Sequence, residues 1–491
     1  MAASRATKDY RLLIGGDWVP GSAGSYDVVN PATETVIDRA PEASAADADA
    51  AAQAAHDALP AWKRTRPEER ATLLQALADE IRKRNDDLLP LIMAETGATL
   101  KVGSALQVPQ AVARFERYAQ GALEDLSIPL PPSVMGSTPL AAGGLIGGVA
   151  LRQPVGVVAC ISPYNFPLVN MAGKVGPALA TGNTIVMKPA PQDPLAIIEF
   201  ADICRQVGFP PGVVNVVTGS SPEIGQALVD SKLVDMISFT GSTSVGARIF
   251  EAGGKTMKRL LLELGGKGAC IVCHDADLAK AVTALVSVWG FHSGQICTAP
   301  TRAIVHRSAY DRLLAGLQAA APNLRVGPPE SEDTVVGPVI SAQHRDRIEQ
   351  YIETGQGEGG ELLVDGRRPS NVDRGFYVGP TLLAGCTNDM AVVREEIFGP
   401  VIVVVPFDDE DEAIAIANDS DYGLYDYVFS EDTARAYAIG QQLEAGHVGI
   451  NTAQRNHEAP FGGFKMSGVG RDGGVFGLHA YTELQSLIWP G

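Results

Sequence analysis

Cys297 stands in Gly294-Gln295-Ile296-Cys297-Thr298, past a helical stretch and just ahead of Pro300. A thiol on a glycine-bounded loop is accessible, as a nucleophile must be. Taken alone, the string also suits an unreactive loop cysteine. Glu263 lies in Leu260-Leu261-Leu262-Glu263-Leu264-Gly265-Gly266-Lys267. A carboxylate among leucines is costly to bury ionised, and desolvation lifts its pKa toward general-base range. An ion-paired or hydrogen-bonded core glutamate is the plainer alternative. The string Phe239-Thr240-Gly241-Ser242-Thr243-Ser244-Val245-Gly246 joins a strand pattern to a helix pattern. Glycine there lets the backbone approach a ligand, and free N–H groups at a helix start favour an anion such as pyrophosphate. A plain tight turn fits the same residues. Lys188 ends another strand before Pro189 and points to where parallel sheets bind ligands, unless it is a solvated loop lysine.

The other cysteines read as structural. Cys160 and Cys204 fall in apolar runs. Cys270, Cys273 and His274 spell a nominal haem-attachment string, but strand alternation puts the two thiols on opposite faces. No second Cys/His pair matches a zinc site, so no metal is expected.

These residues need a frame, and the pattern supplies one. Buried-strand runs at 155–161, 184–187, 213–217 and 236–239 alternate with helical stretches from 168, near 194–207, at 222–229 and from 243. That spacing indicates a parallel sheet covered by helices on both faces. The alternation resumes more loosely. Strands are expected at 269–272, 302–305, 401–405 and 447–450, and helices near 278–288, 343–352 and 411–417. The N-terminal region reads as helical. Thr65 and Glu68 are spaced as a capping box with Pro67 in the first turn, and Leu74, Leu77, Ile81 and Leu88 mark one apolar face. The Pro- and Gly-rich stretch 130–148 interrupts the first unit, and 481–489 reads as a strand that would pair with it in an oligomerisation arm. The expected fold class is α/β: a Rossmann-like parallel-sheet cofactor domain (1–127 and 149–259), a second α/β catalytic domain (260–470) and a small β oligomerisation arm (128–148 and 471–491).

The chain has 491 residues, too many for one ordinary core. Its net charge of −18 argues against a nucleic-acid partner, which needs clustered cations. Residues 1–10 are polar and lack a signal core, and 140–151 is too short to span a bilayer, so no membrane partner is expected. Six cysteines in so long a chain make no disulfide framework, which points to a reducing, cytoplasmic setting.

Together and in this order, the strings resemble the aldehyde dehydrogenase superfamily over nearly the whole chain. They run from Ile14-Gly15-Gly16-Asp17-Trp18 and Asn30-Pro31-Ala32-Thr33 to Pro163-Tyr164-Asn165-Phe166-Pro167, then Lys188-Pro189, then the strings around Ser242, Glu263 and Cys297. Glu395-Glu396-Ile397-Phe398-Gly399-Pro400 and Pro460-Phe461-Gly462-Gly463-Phe464-Lys465 complete the set.

The resemblance implies roles. Cys297 would attack an aldehyde to give a thiohemiacetal, with the Asn165 amide and the Cys297 backbone N–H as oxyanion hole. Hydride would pass to a nicotinamide, leaving a thioester that Glu263 hydrolyses by activating water, with Lys174 in support. Coenzyme-A-acylating relatives generally lack this glutamate, so its presence implies a free acid product. Glu396 would hold the nicotinamide ribose, and Phe398 would lie by the ring. Ser242 would contact the pyrophosphate, Lys188 the adenine-side ribose and Gly225 the adenine. Ile161, Ser162, Pro163, Tyr164, Ala190, Pro191, Phe239, Gly241, Val245, Leu264 and Gly265 complete the implied cofactor site. The implied substrate tunnel comprises Phe166, Asn170, Gly173, Phe291, Ile296, Thr298, Arg455 and Phe461. The expected partners are a small-molecule aldehyde and further copies of the chain, as a homodimer or homotetramer.

Two departures from the family pattern matter. Pro191 stands where many relatives carry a glutamate that binds the ribose hydroxyls, which leaves NADP open beside the commoner NAD. Gly173 takes the place of a bulky aromatic and Tyr164 that of a tryptophan, which suggests a wider tunnel for a bulky or aromatic aldehyde. Arg455 and His457, before Pro460, suggest instead a polar or acidic aldehyde. Two other readings compete. A thiol hydrolase would need no phosphate cradle, and a structural protein on this scaffold would be expected to lose Cys297 or Glu263.

Overall fold

The computed structural model describes residues 8–490; residues 1–7 of the polar N-terminal stretch lie outside it. Among the described residues, one sheet has eight strands. Its parallel centre runs Val214–Val216, Thr184–Lys188, Val157–Ile161, Met236–Thr240 and Arg259–Glu263. Antiparallel edges come from Leu12–Ile14 and from Gly468–Val469. Strand alternation works here as expected. Val158 and Cys160 enter one core cluster, while Val157, Ala159 and Ile161 enter another on the opposite face. Helices Pro167–Ala180 and Pro194–Gln206 cover the first face, and Ala45–Trp62 and Glu223–Asp230 cover the second.

A second, seven-stranded sheet runs Glu361–Val364, Thr381–Ala384, Val401–Phe407, Arg302–His306, Ala269–Val272, Tyr425–Phe429 and His447–Ile450, parallel except at its first pair. Cys270 and Cys273 enter separate clusters on its two sides. All six cysteines are unpaired. Among the described residues, no helix is long and apolar enough to cross a membrane, and no group of three or more candidate ligands could hold a metal ion. A third sheet joins Ile128–Met135, Gly144–Pro154 and Thr482–Pro490, with Thr482 opposite Pro154 and Pro490 opposite Ile146.

The structure corrects three expectations. The Thr65–Glu68 capping box does not form. Arg66 is the N-cap with no side-chain bond, and Pro67 alone fixes the first turn. The reciprocal box occurs instead at Ser44 and Asp47. Leu74, Leu77 and Ile81 share a buried face, but the helix ends at Lys83 and Leu88 belongs to the next one. The sheet boundaries also move. Arg259–Glu263 pairs with Met236–Thr240 in the first sheet, so the crossing to the second sheet falls after Glu263 rather than at 260. Residues 149–154 belong to the arm sheet, while helix Gly474–Ala480 packs on the first unit through Leu478.

Candidate active site

Cys297, Asn165 and Glu263 sit at a strand end or on a loop, and Lys174 lies within helix Pro167–Ala180. Between helix Leu278–Trp289 and strand Arg302–His306 the chain passes through three successive left-handed residues, His292 (φ 47°), Ser293 (φ 56°) and Gly294 (φ 71°). That conformation costs a non-glycine residue about 1–2 kcal/mol. The surroundings enforce it. Ser293 Oγ donates to Gly337 O at 2.7 Å, and Gln295 Oε1 accepts from Ile340 N at 3.0 Å. A Cβ at Gly294 would stand 2.2 Å from Gly399 O. The turn delivers Cys297 to the wall of a cavity of about 1380 Å³.

Asn165 reaches the same wall from the loop after strand Val157–Ile161. Its Nδ2 donates to Gln295 O at 2.8 Å, and its backbone carbonyl accepts from Gln107 Nε2 at 3.1 Å. One amide N–H is thus committed and the other is left for the cavity. Glu263 ends its strand 5% exposed, and neither carboxylate oxygen has a hydrogen-bond partner. Burial, and then the nearby Asp472, push its pKa well above the ordinary carboxylate value, against the pull of Lys174, Arg471 and Arg455. Burial pushes the Cys297 thiol up to about 11, with Arg455 opposing it. Lys174 donates to Thr240 Oγ1 at 2.7 Å and Ser238 Oγ at 3.3 Å, and burial lowers its pKa. Ser238 in turn pairs with the Tyr481 hydroxyl at 2.7 Å.

The opposite end of the cavity carries groups that can meet an anion. Helix Thr243–Gly253 starts at Ser242 without a side-chain cap, so its first N–H groups are open to an anion. A Cβ at Gly241 would lie 2.5 Å from the Phe239 ring, so a side chain there would push the ring aside. Gly266 N donates to Glu396 Oε1 at 3.0 Å. Phe398 takes φ 58°, and its carbonyl meets His344 Nε2 at 2.8 Å.

The cavity wall brings together Cys297, Glu263, Asn165 and Lys174. It also takes in Pro163, Tyr164, Gly241, Ser242, Leu264, Gly265, Glu396 and Phe398, and on the other side Phe166, Asn170, Phe291, Ile296, Thr298, Arg455 and Phe461. Ile161, Ser162, Phe239 and Val245 lie behind that wall, in or beside the core. Lys188, Ala190, Pro191 and Gly225 also fall outside it. Lys188 is buried, and its stem passes 3.9 Å from a Cβ placed on Gly225.

Gly173 does not line the cavity, and the space expected there is filled. A Cβ on Gly173 would fall 1.9 Å from Arg114 Nη1. The Tyr164 ring packs edge-on against Phe398 at 6.0 Å and His344 at 6.4 Å, so it borders the Glu396 side and not the substrate side. Sequence reasoning missed Arg114, Gln192, His344, Arg347 and Asp472, all of which line the cavity. Only Asp472 had a local signal. It follows Arg471 in a glycine-rich stretch, and an antiparallel bridge ties it to Phe461.

The aldehyde dehydrogenase family model matches residues 18–487. The chain belongs to the aldehyde dehydrogenase family. Its members are oxidoreductases, and this chain is an aldehyde dehydrogenase. The protein DhaS of Bacillus subtilis (strain 168) is 36% identical over 483 residues, 98% of this chain and 95% of its own length. A betaine aldehyde dehydrogenase from Staphylococcus aureus in complex with NAD+ superposes with a TM-score of 0.92 at 34% identity, covering 98% of this chain and 95% of that one. An NADP-dependent enzyme from E. coli gives 0.93 at 34% identity, covering 98% of each. The two parallel sheets and the small β sheet are thus the aldehyde dehydrogenase fold.

Proposed function

We propose that the chain oxidises an aldehyde to the free carboxylic acid through a thioester on Cys297, with NAD+ as acceptor. The observation that carries this reading is one cavity lined by a thiol, an amide and a buried carboxyl with unbonded oxygens, facing an uncapped helix start. The thiol passes its proton to solvent as Cys297 Sγ adds to the carbonyl carbon. The free Asn165 N–H and the Cys297 backbone N–H donate to the oxygen as its charge develops. When bound, the nicotinamide supplies the hydride acceptor. Glu263 then takes a proton from water, the hydroxide adds to the thioester carbon, and the Cys297 thiolate leaves.

One feature supports NAD+ over NADP+: although Pro191 supplies no carboxylate, Asp193 and then Glu42, which accepts from Ser220 N at 2.9 and 3.1 Å, act electrostatically on Lys188. The bulky-substrate expectation loses its basis, since Arg114 takes the space beside Gly173. Phe166, Phe291 and Phe461 still offer apolar walls to a narrow aliphatic or flat aromatic body. The test is reduced-nicotinamide absorbance across an aldehyde panel with each dinucleotide. No signal from any aldehyde would defeat the reaction; a faster rate with NADP+ would reverse the acceptor.

Asn165→Ala should lower kcat about 10²–10³-fold with a small change in KM, because its amide acts mainly on the developing oxyanion. Steady-state kinetics decides; an unchanged kcat would remove Asn165 from the oxyanion hole.

The arm supports self-association. Val134, Leu484, Ile488 and Trp489 are 82%, 55%, 68% and 49% exposed, a large apolar share for one small sheet. Leu484→Lys with Ile488→Lys should reduce the particle to a monomer in light scattering. A wild-type monomer would end this reading.

A further inference from the structure

Two guanidinium groups line the substrate side of the cavity, and their charges are met differently. Arg114 Nη1 lies 3.9 Å from Asp472 Oδ2 and donates to Val169 O at 3.3 Å, so its charge is compensated. Arg455, on the loop after strand His447–Ile450, donates to Thr298 Oγ1. Among the described residues it has no ion pair. Its guanidinium lies 4.7 Å from the Phe461 ring centroid and 5.6 Å from that of Tyr425. The rings hold the planar group in one orientation without neutralising it. Thr298 is the residue next to the candidate nucleophile, so this cation stands a short way from the reacting carbon.

A fixed, weakly hydrated cation with N–H groups to spare is a receptor for a carboxylate. We propose that Arg455 binds a carboxylate carried by the substrate, which makes the substrate class short aldehydes with an anionic far end. The assignment rests on the aldehyde-oxidising reading. Phe166 and Phe291 flank the carbon chain between the two ends, and Thr298 fixes the guanidinium edge that meets the anion. Lysine could supply the charge at this place but not the stacked, two-pronged geometry.

The test compares 4-oxobutanoate with butanal, which has the same chain length without the carboxylate. The wild type should show kcat/KM about tenfold or more in favour of the anion. Arg455→Gln, which can keep the bond to Thr298, should raise KM for 4-oxobutanoate about 30–100-fold and cost butanal at least ten times less. Arg455→Lys should recover part of the loss. The melting temperature and the rate of Cys297 alkylation by iodoacetamide check that the variants fold and keep a reactive thiol. A wild-type preference for butanal overturns the assignment and leaves aldehyde oxidation standing. Equal losses for both substrates in Arg455→Gln also overturn it, since a cation serving only the thiolate behaves that way. Failure to reduce NAD+ with both aldehydes overturns this assignment, and failure across the whole aldehyde panel overturns the underlying reaction as well.

Discussion

Cys297→Ala is expected to lower aldehyde-dependent NAD+ reduction by about 10⁴-fold or more, the scale on which loss of a nucleophile acts. The fold should survive the change. The turn is held by Ser293 Oγ, by Gln295 through Ile340 N and by Asn165 Nδ2, and none of these bonds uses the sulfur. The melting temperature should therefore stay within a few degrees, about 1 kcal/mol. Retained turnover in a homogeneous preparation would show that another group attacks the aldehyde.

Glu263→Gln should separate the two halves of the reaction. Thioester formation needs the sulfur and the oxyanion donors, so rapid mixing should still show one burst of reduced cofactor per site. Steady-state turnover should fall about 10²–10⁴-fold, the usual contribution of a general base. A full steady-state rate would take the base role away from Glu263. The pH behaviour follows from the raised pKa of its carboxyl. A base acts deprotonated, so wild-type deacylation should climb with pH through that raised value, while the glutamine variant stays flat. Stability should run the other way. The folded state holds this proton more tightly than the unfolded chain does. Its contribution is complete below the ordinary carboxylate range and fades as pH rises through the folded value. Glutamine carries no such titration, so the variant's melting temperature should gain on the wild type as pH increases.

Much of this architecture could be read from the residues. The uncharged, β-branched runs around Val157 and Ile185 could only be buried strands, and the strand His447–Ile450 falls where the pattern put it. Cys297 and Glu263 stand out because each sits in a string whose glycines or leucines advertise an unusual environment, whereas Asn165, in Pro163-Tyr164-Asn165-Phe166-Pro167, is named only through the family resemblance. What stayed hidden depended on contacts between distant residues. A glycine at 173 announces missing volume but cannot say that Arg114, from another helix, fills it. The Thr65 cap failed because Arg66 and Pro67 already set the turn. The pattern assigns residues 260–263 to the second unit, yet their strand is hydrogen-bonded to the first sheet. Asp472 lines the cavity where it is bridged to Phe461, a residue eleven positions earlier in the chain.

The link from Lys174 through Ser238 to the Tyr481 hydroxyl ties the cavity wall to the residue just before strand Thr482–Pro490. Asn183 Nδ2 also donates to the Tyr481 carbonyl at 3.0 Å, and Gly468–Val469 closes the sheet edge beside Glu263. A cut before Gly468 would remove both the strand beside Glu263 and the hydroxyl that Ser238 bonds, so the tail is part of what holds the cavity wall.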